Sequence, residues 1–220
     1  MTDNPANRRP IRARGAAWAS GIARSLRLGG VRPNQISVAS VVFAAGAGAL
    51  LVVGGRGGPW QGALAFLAAA GCIQCRLLCN LFDGMVAVEG GLQSKSGEVF
   101  NDLPDRLADP IILVCAGYSC AARWSWGVEL GGLAAILAVL TAYVRLLGAA
   151  AGAGHDFSGP MAKQHRMAVM TAACLAAAAE SLWGPWPWPV MPVALGLIVL
   201  GCLATVVRRT VRIVRRLESQ

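Results

Sequence analysis

Apolar residues run through this chain in blocks too long and too unbroken for a water-soluble fold. The blocks fall at roughly 34–54, 60–88, 97–122, 127–152, 162–183 and 190–214, each near the ~20 residues a helix needs to cross hydrocarbon. They predict an all-α integral membrane protein with six transmembrane helices, forming a single domain over residues 1–220. The third helix is expected to start ahead of its apolar run, with the polar 97–106 stretch as its first turns. Before the first span, residues 11–28 interleave Arg12, Arg14, Arg24 and Arg27 with Ala17, Trp18, Ile22, Ala23 and Leu26. That alternation predicts an N-terminal amphipathic helix lying in the membrane interface. Gly29, Gly30 and Pro33 separate it from the first span.

Composition agrees with the pattern. Hydrophobic residues make up 55% of the chain, charged residues only 14%, and the mean hydropathy is +0.54, whereas soluble domains carry about 25% charged residues. The net charge of +9 comes mostly from arginine clusters at the two ends, Arg8 to Arg32 and Arg208 to Arg216. Such clusters point to anionic lipid rather than nucleic acid. With the N-terminus inside, 18 of the 20 Lys and Arg lie on the inner side or in the inner half of a span, leaving Arg56 and Arg123 outside. The positive-inside rule then places a multi-pass protein in the inner (cytoplasmic) membrane with both termini cytoplasmic. Trp183, Trp186 and Trp188 would form an aromatic belt at the outer surface. Residues 1–14 are polar and arginine-rich, so no cleavable signal peptide is expected. The seven cysteines sit mostly inside apolar runs and are read as packing residues. Cys72, Cys75 and Cys79 share a helix face but have no nearby fourth ligand. His155 and His165 fall in a basic loop, where solvated histidines are usual.

One polar stretch breaks the apolar pattern. Between Asn80 and Asp109 lie six of the chain's 11 acidic residues: Asp83, Glu89, Glu98, Asp102, Asp105 and Asp109. Carboxylates at the edge of hydrocarbon are costly and mark function by default. On a helix, Arg76, Asn80, Asp83 and Ala87 share one face, and Gly97, Asn101, Asp105 and Asp109 share another. Two helices can thus turn oxygen donors toward each other, a donor set that suits Mg²⁺ or Mn²⁺ together with substrate phosphates. Gly84 and Ala87 leave room beside them for a flat nucleotide.

The spacing resembles the signature of the CDP-alcohol phosphotransferases, D-x2-D-G-x2-A-R-x8-G-x3-D-x3-D. Here it reads Asn80, Asp83, Gly84, Ala87, Val88, Gly97, Asn101 and Asp105, with five of eight positions matched and every interval kept. Arg32-Pro33-Asn34-Gln35-Ile36-Ser37 is similar to the family's entry to its first span, and Gly159 to Met167 to its basic entry to the fifth. The resemblance, to a divergent bacterial branch with Asn at two of four signature Asp positions, covers most of the chain.

It implies a homodimeric enzyme of phospholipid biosynthesis that transfers a phosphatidyl-type group from CDP-diacylglycerol to an alcohol, releasing CMP at the cytoplasmic face. By position, Asp83, Asp105, Asn80 and Asn101 would hold Mg or Mn, and Asp105 would deprotonate the alcohol. Gly84, Ala87 and Arg76 would meet the CDP donor, with Arg76 standing in for the arginine that Val88 replaces. Arg145, Lys163 and Arg166 would grip the acceptor, which their charge suggests is a polyol phosphate such as inositol phosphate or glycerol phosphate. The two asparagines keep a neutral oxygen donor and lose the charge, so weaker or fewer metals are expected unless Glu89, Glu98 or Asp102 compensates.

Blander readings stand beside these. Asp83 and Arg76 can simply neutralise each other, Asp102 and Arg106 can form a surface i,i+4 pair, and Glu98 can serve the helix N-terminus. The basic residues can be anchors to anionic headgroups. The alternative function is a catalytically weakened relative that binds CDP-lipid as a membrane scaffold. A transporter is disfavoured because the polar residues gather near the inner surface, away from the midplane.

Overall fold

The structure is a computed structural model and describes residues 17–89, 97–183 and 189–219, with the side chains of Glu89, Glu98 and Asn101 outside the description. Residues 11–16 of the expected amphipathic helix and Trp186 and Trp188 of the expected belt also lie outside the described residues. Seven helices are described: α1 (Ala17–Leu28), α2 (Pro33–Arg56), α3 (Pro59–Glu89), α4 (Gly97–Cys120), α5 (Gly127–Ala150), α6 (Lys163–Trp183) and α7 (Val190–Glu218).

Local chemistry sets the first boundary. Gly30 adopts φ 73, and Val31 N–H reaches Leu26 O at 3.1 Å while Gly30 N–H reaches Arg27 O at 3.0 Å. This is a Schellman ending, whose left-handed residue glycine adopts without a Cβ penalty. Four residues on, α2 opens with Pro33 in its first turn, and the Gln35 side chain accepts the Arg32 N–H at 2.9 Å, satisfying a donor that the helix leaves unpaired.

The six longer helices close a ring: α2 packs on α4, α4 on α5, α5 on α7, α7 on α6, α6 on α3, and α3 back on α2. Small residues allow the close approaches. At the α4–α5 crossing a Cβ on Gly131 would fall 2.7 Å from Leu113 O and 2.9 Å from Gly117 Cα, the kind of backbone contact that membrane helix pairs use. Inside lie Leu51, Ile73, Ile112, Leu113, Met167, Met170, Leu195 and Ile198, while large apolar residues such as Val42, Leu64, Ile136 and Leu200 face outward. An outward apolar surface of this extent fits lipid as the solvent. α1 docks through Ala19 and Ala23 on Leu81, Phe82, Met85 and Val86 at the end of α3.

By length and apolar character, α2, α3, α5 and α7 can cross a membrane. The helices α4 and α6, expected as further spans, fall short of that standard. α4 carries Asp102, Asp105, Arg106 and Asp109, and α6 carries Lys163 and Arg166 and is otherwise rich in alanine, which adds little hydropathy. Charge that serves the interior lowers the very signal by which a span is recognised.

Candidate functional site

α2 and α6 begin, and α3 and α5 finish, at one end of the bundle, beside the first half of α4, and the charged residues meet there. Asp83, in the last third of α3, is buried. Its Oδ2 accepts the Ser37 hydroxyl of α2 at 2.8 Å and its Oδ1 accepts the Gly84 N–H at 2.6 Å. The expected neutralisation of Asp83 by Arg76 is therefore not what the structure shows. Arg76, 0% exposed, turns its Nη2 to Asp105 Oδ1 at 3.0 Å and Asp109 Oδ1 at 2.5 Å across to α4. Its Nε and Nη1 are buried without a protein partner among the described residues, as is Asn80 Oδ1, whereas Asn80 Nδ2 donates to Arg76 O at 3.0 Å.

Along α4 the three aspartates each receive cations from the surrounding wall. Asp102 is held by both Arg145 Nη2 contacts, at 2.9 and 2.8 Å, and by Arg106 at 3.5 Å. The pair Asp102–Arg106 is thus the weaker half of a bridge to α5, more than the surface pair its spacing suggests. Asp105 takes Arg76 on one oxygen and Lys163 of α6 on the other. Asp109 takes Arg76 on Oδ1 and Arg166 on Oδ2, the latter at 2.6 Å through Nη2 and 3.2 Å through Nε. Two prolines, Pro104 and Pro110, each sit immediately ahead of or behind these aspartates and remove a helical N–H donor.

The three cations expected at the acceptor do not share one role. Arg166, 2% exposed, also donates to Thr141 Oγ1 at 3.2 Å and to Met161 O at 3.0 Å, so it belongs to the buried framework. That corrects its expected position opposite Arg145: its guanidinium turns into the bundle because Asp109 waits there. Lys163 and Arg145 keep 25% and 18% of their side chains exposed. Arg145 also lies 5.4 Å over the Phe157 ring, within cation–π range. Arg209 of α7 ties the neighbouring loop down by donating to Ser158 O at 2.8 Å and Thr141 O at 2.5 Å, and Asp156 in that loop accepts the Ser158 N–H at 2.7 Å.

Gly84 and Ala87 are half-buried on the Asp83 side of α3, and Val88, at the signature arginine position, is exposed. Asn101 lies on α4 four residues before Asp105, its side chain outside the description. Among the described residues no group of three or more His, Cys, Asp or Glu is arranged to hold a metal. Three oxygen-bearing side chains stand at this end, Asp83, Asp105 and Asn80, the last with an Oδ1 that has no partner among the described residues, and oxygen donors suit a hard divalent cation. Sequence reasoning placed Asp109 on the right face without a role. It named Ser37 only as part of the entry to the first span, with no role at Asp83, and it missed Thr141. The seven cysteines are all free, as packing residues would be.

No protein-family model matches the sequence, and no curated protein matches it. Solved structures do. The chain is similar to Mycobacterium tuberculosis phosphatidylinositol phosphate synthase with CDP-DAG bound, with 21% identity and TM-score 0.75 over 90% of this chain and 94% of that one. The same synthase in complex with manganese and citrate matches at 21% identity and TM-score 0.73, over 89% and 88% of the two chains. Its apo form matches at 19% identity and TM-score 0.67, over 88% and 94%. The fold is shared over about nine tenths of each chain.

Proposed function

We propose that the protein transfers a phosphatidyl-type group from a CDP-diacylglycerol-like donor to an alcohol and releases CMP, in phospholipid biosynthesis. The observation that carries this reading is that Asp83 of α3 and Asp105 of α4, at their signature spacing, are both buried at one end of a bundle with the fold of a synthase described with CDP-DAG bound. Asp83, Asp105 and Asn80, with Asn101 by position, are the residues that would hold Mg²⁺ or Mn²⁺; the matching synthase is also described with manganese. Bound there, such an ion would polarise the donor's diphosphate and stabilise the leaving phosphate.

The chain's own residues supply the rest. Asp105 takes the proton from the acceptor hydroxyl as that oxygen attacks the lipid-side phosphorus; the bond to CMP breaks and CMP carries away the electron pair. Gly84 and Ala87 leave the space for the cytidine. Lys163 and Arg145, the two partly exposed cations, present themselves to an acceptor phosphate, which favours a polyol phosphate as substrate. Arg76 and Arg166 hold the carboxylates from behind. Six helices span the inner membrane, α4 and α6 included, with the site and both termini cytoplasmic; the distribution of basic residues supports that orientation.

The test is CMP release by purified protein across a panel of alcohols and polyol phosphates with Mg²⁺ or Mn²⁺. Asp83→Asn and Asp105→Asn are each expected to abolish release while leaving the protein folded. Full turnover in excess chelator, or CDP-lipid binding with no release from any acceptor, would instead favour the scaffold reading.

A further inference from the structure

Asp105 has both oxygens occupied by protein cations. Arg76 holds Oδ1 and Lys163 holds Oδ2. Each oxygen keeps a second lone pair, but a cation already on it repels a divalent ion that binds the same oxygen, which favours release of one of the two. Arg76 is the wrong one to move: it is fully buried and is bound to Asp109 by the same Nη2. Lys163 opens α6 at the rim of the site, and a quarter of its side chain is exposed. Its four-carbon stem is flexible, and its compact ammonium is strongly hydrated once it reaches water.

The position of that ammonium matters as much as its freedom. Besides Asp105, its charge acts on Asp83, Asp102 and Asp109, so it sits among the carboxylates of both α3 and α4. The remaining cations stand behind or beside: Arg166 under Asp109, and Arg145 and Arg106 on Asp102. A positive charge among these oxygens and a divalent ion on the same oxygens repel each other strongly at such distances.

We propose that Lys163 is a displaceable counter-ion of the site: it occupies Asp105 Oδ2 until a divalent cation takes that oxygen, and the displaced ammonium then faces the acceptor. This rests on the reading above that Asp105 is a metal ligand. It gives the lysine two successive partners, a carboxylate and then an anionic substrate, and makes metal loading the event that switches it from one to the other.

Competition of this kind is measurable without turnover. Mn²⁺ is titrated into purified protein in detergent, and the free ion is followed by its electron paramagnetic resonance signal. Lys163→Met is expected to bind Mn²⁺ about tenfold more tightly than the wild type, or more, because the competing charge is gone. Lys163→Arg keeps the charge and is expected to stay within about threefold of the wild type. In a second measurement, on the unaltered chain, an amine-selective acylating reagent and mass spectrometry report how fast Lys163 reacts, with Lys95, the only other lysine, read in the same digest. Saturating Mn²⁺ is expected to speed acylation of Lys163 relative to Lys95. Wild type and Lys163→Met binding Mn²⁺ equally, or a Lys163 reactivity indifferent to Mn²⁺, overturns the counter-ion role alone. Failure of both proteins to bind Mn²⁺ overturns it together with the assignment of Asp105 to a metal.

Discussion

Asp109 carries two guanidinium groups, Arg76 on one oxygen and Arg166 on the other, and all three side chains are buried. Each charge is tolerated there only because the others neutralise it, and removing one partner strands the rest. Asp109→Ala would leave both arginines buried without it and is expected to lower the unfolding free energy by about 3–5 kcal/mol. Asp102→Ala, at a site whose carboxylate is 29% exposed, is expected to cost about 1 kcal/mol or less. Denaturant or thermal unfolding in one detergent gives both values, and equal losses would show that Asp109 is no more a structural keystone than Asp102. The contrast separates an aspartate that holds the buried framework from one at the partly exposed rim, a distinction that a row of acidic residues in the sequence does not carry.

Among the elements, α4 has to bring Asp105 and Asp109 inside while crossing α5 closely enough to exclude voids. Gly117, Gly127 and Gly131 make that possible, for a Cβ at Gly131 meets the backbone of Leu113 and Gly117 with no flexible side chain to give way. Gly132, one residue on, has nothing within 4 Å of an added Cβ. Gly131→Val is therefore expected to cost about 3 kcal/mol or more by overpacking. Gly132→Ala is expected to be neutral or stabilising by up to about 1 kcal/mol, since alanine is the better helix former. The two melting temperatures, measured side by side, test whether this crossing is as tight as its geometry. Equal behaviour of the two variants would count against it.

For the molecule as a whole, the ring of six long helices puts every ionic contact described between α3, α4, α5 and α6 at one end of the bundle. At the other end, among the described residues, the pair Arg123–Glu180, 3.4 Å apart, bridges α6 and the α4–α5 turn. That asymmetry, together with the arginines of α1 and of the end of α7, predicts that tags at both termini are shielded from external protease in intact cells. Cleavage of either tag without lysis would reverse the orientation.

The elements were legible in the sequence where hydropathy speaks. The block 127–152 becomes α5 at Gly127–Ala150 and 34–54 becomes α2 at Pro33–Arg56, because helix length in lipid is set by local composition alone. Helical periodicity likewise fixed which residues share one face of a single helix, Arg76 with Asp83 on α3 and Asp105 with Asp109 on α4. Partner choice was not legible. Periodicity put Arg76 on the face of Asp83, yet Arg76 spans to Asp105 and Asp109; it put Lys163 and Arg166 on one side, yet one stays at the rim and the other is drawn inside. Which charge meets which depends on how helices distant in the chain are arranged around the ring, and ion pairing at close range is decided by that arrangement, a three-dimensional quantity that no local pattern encodes.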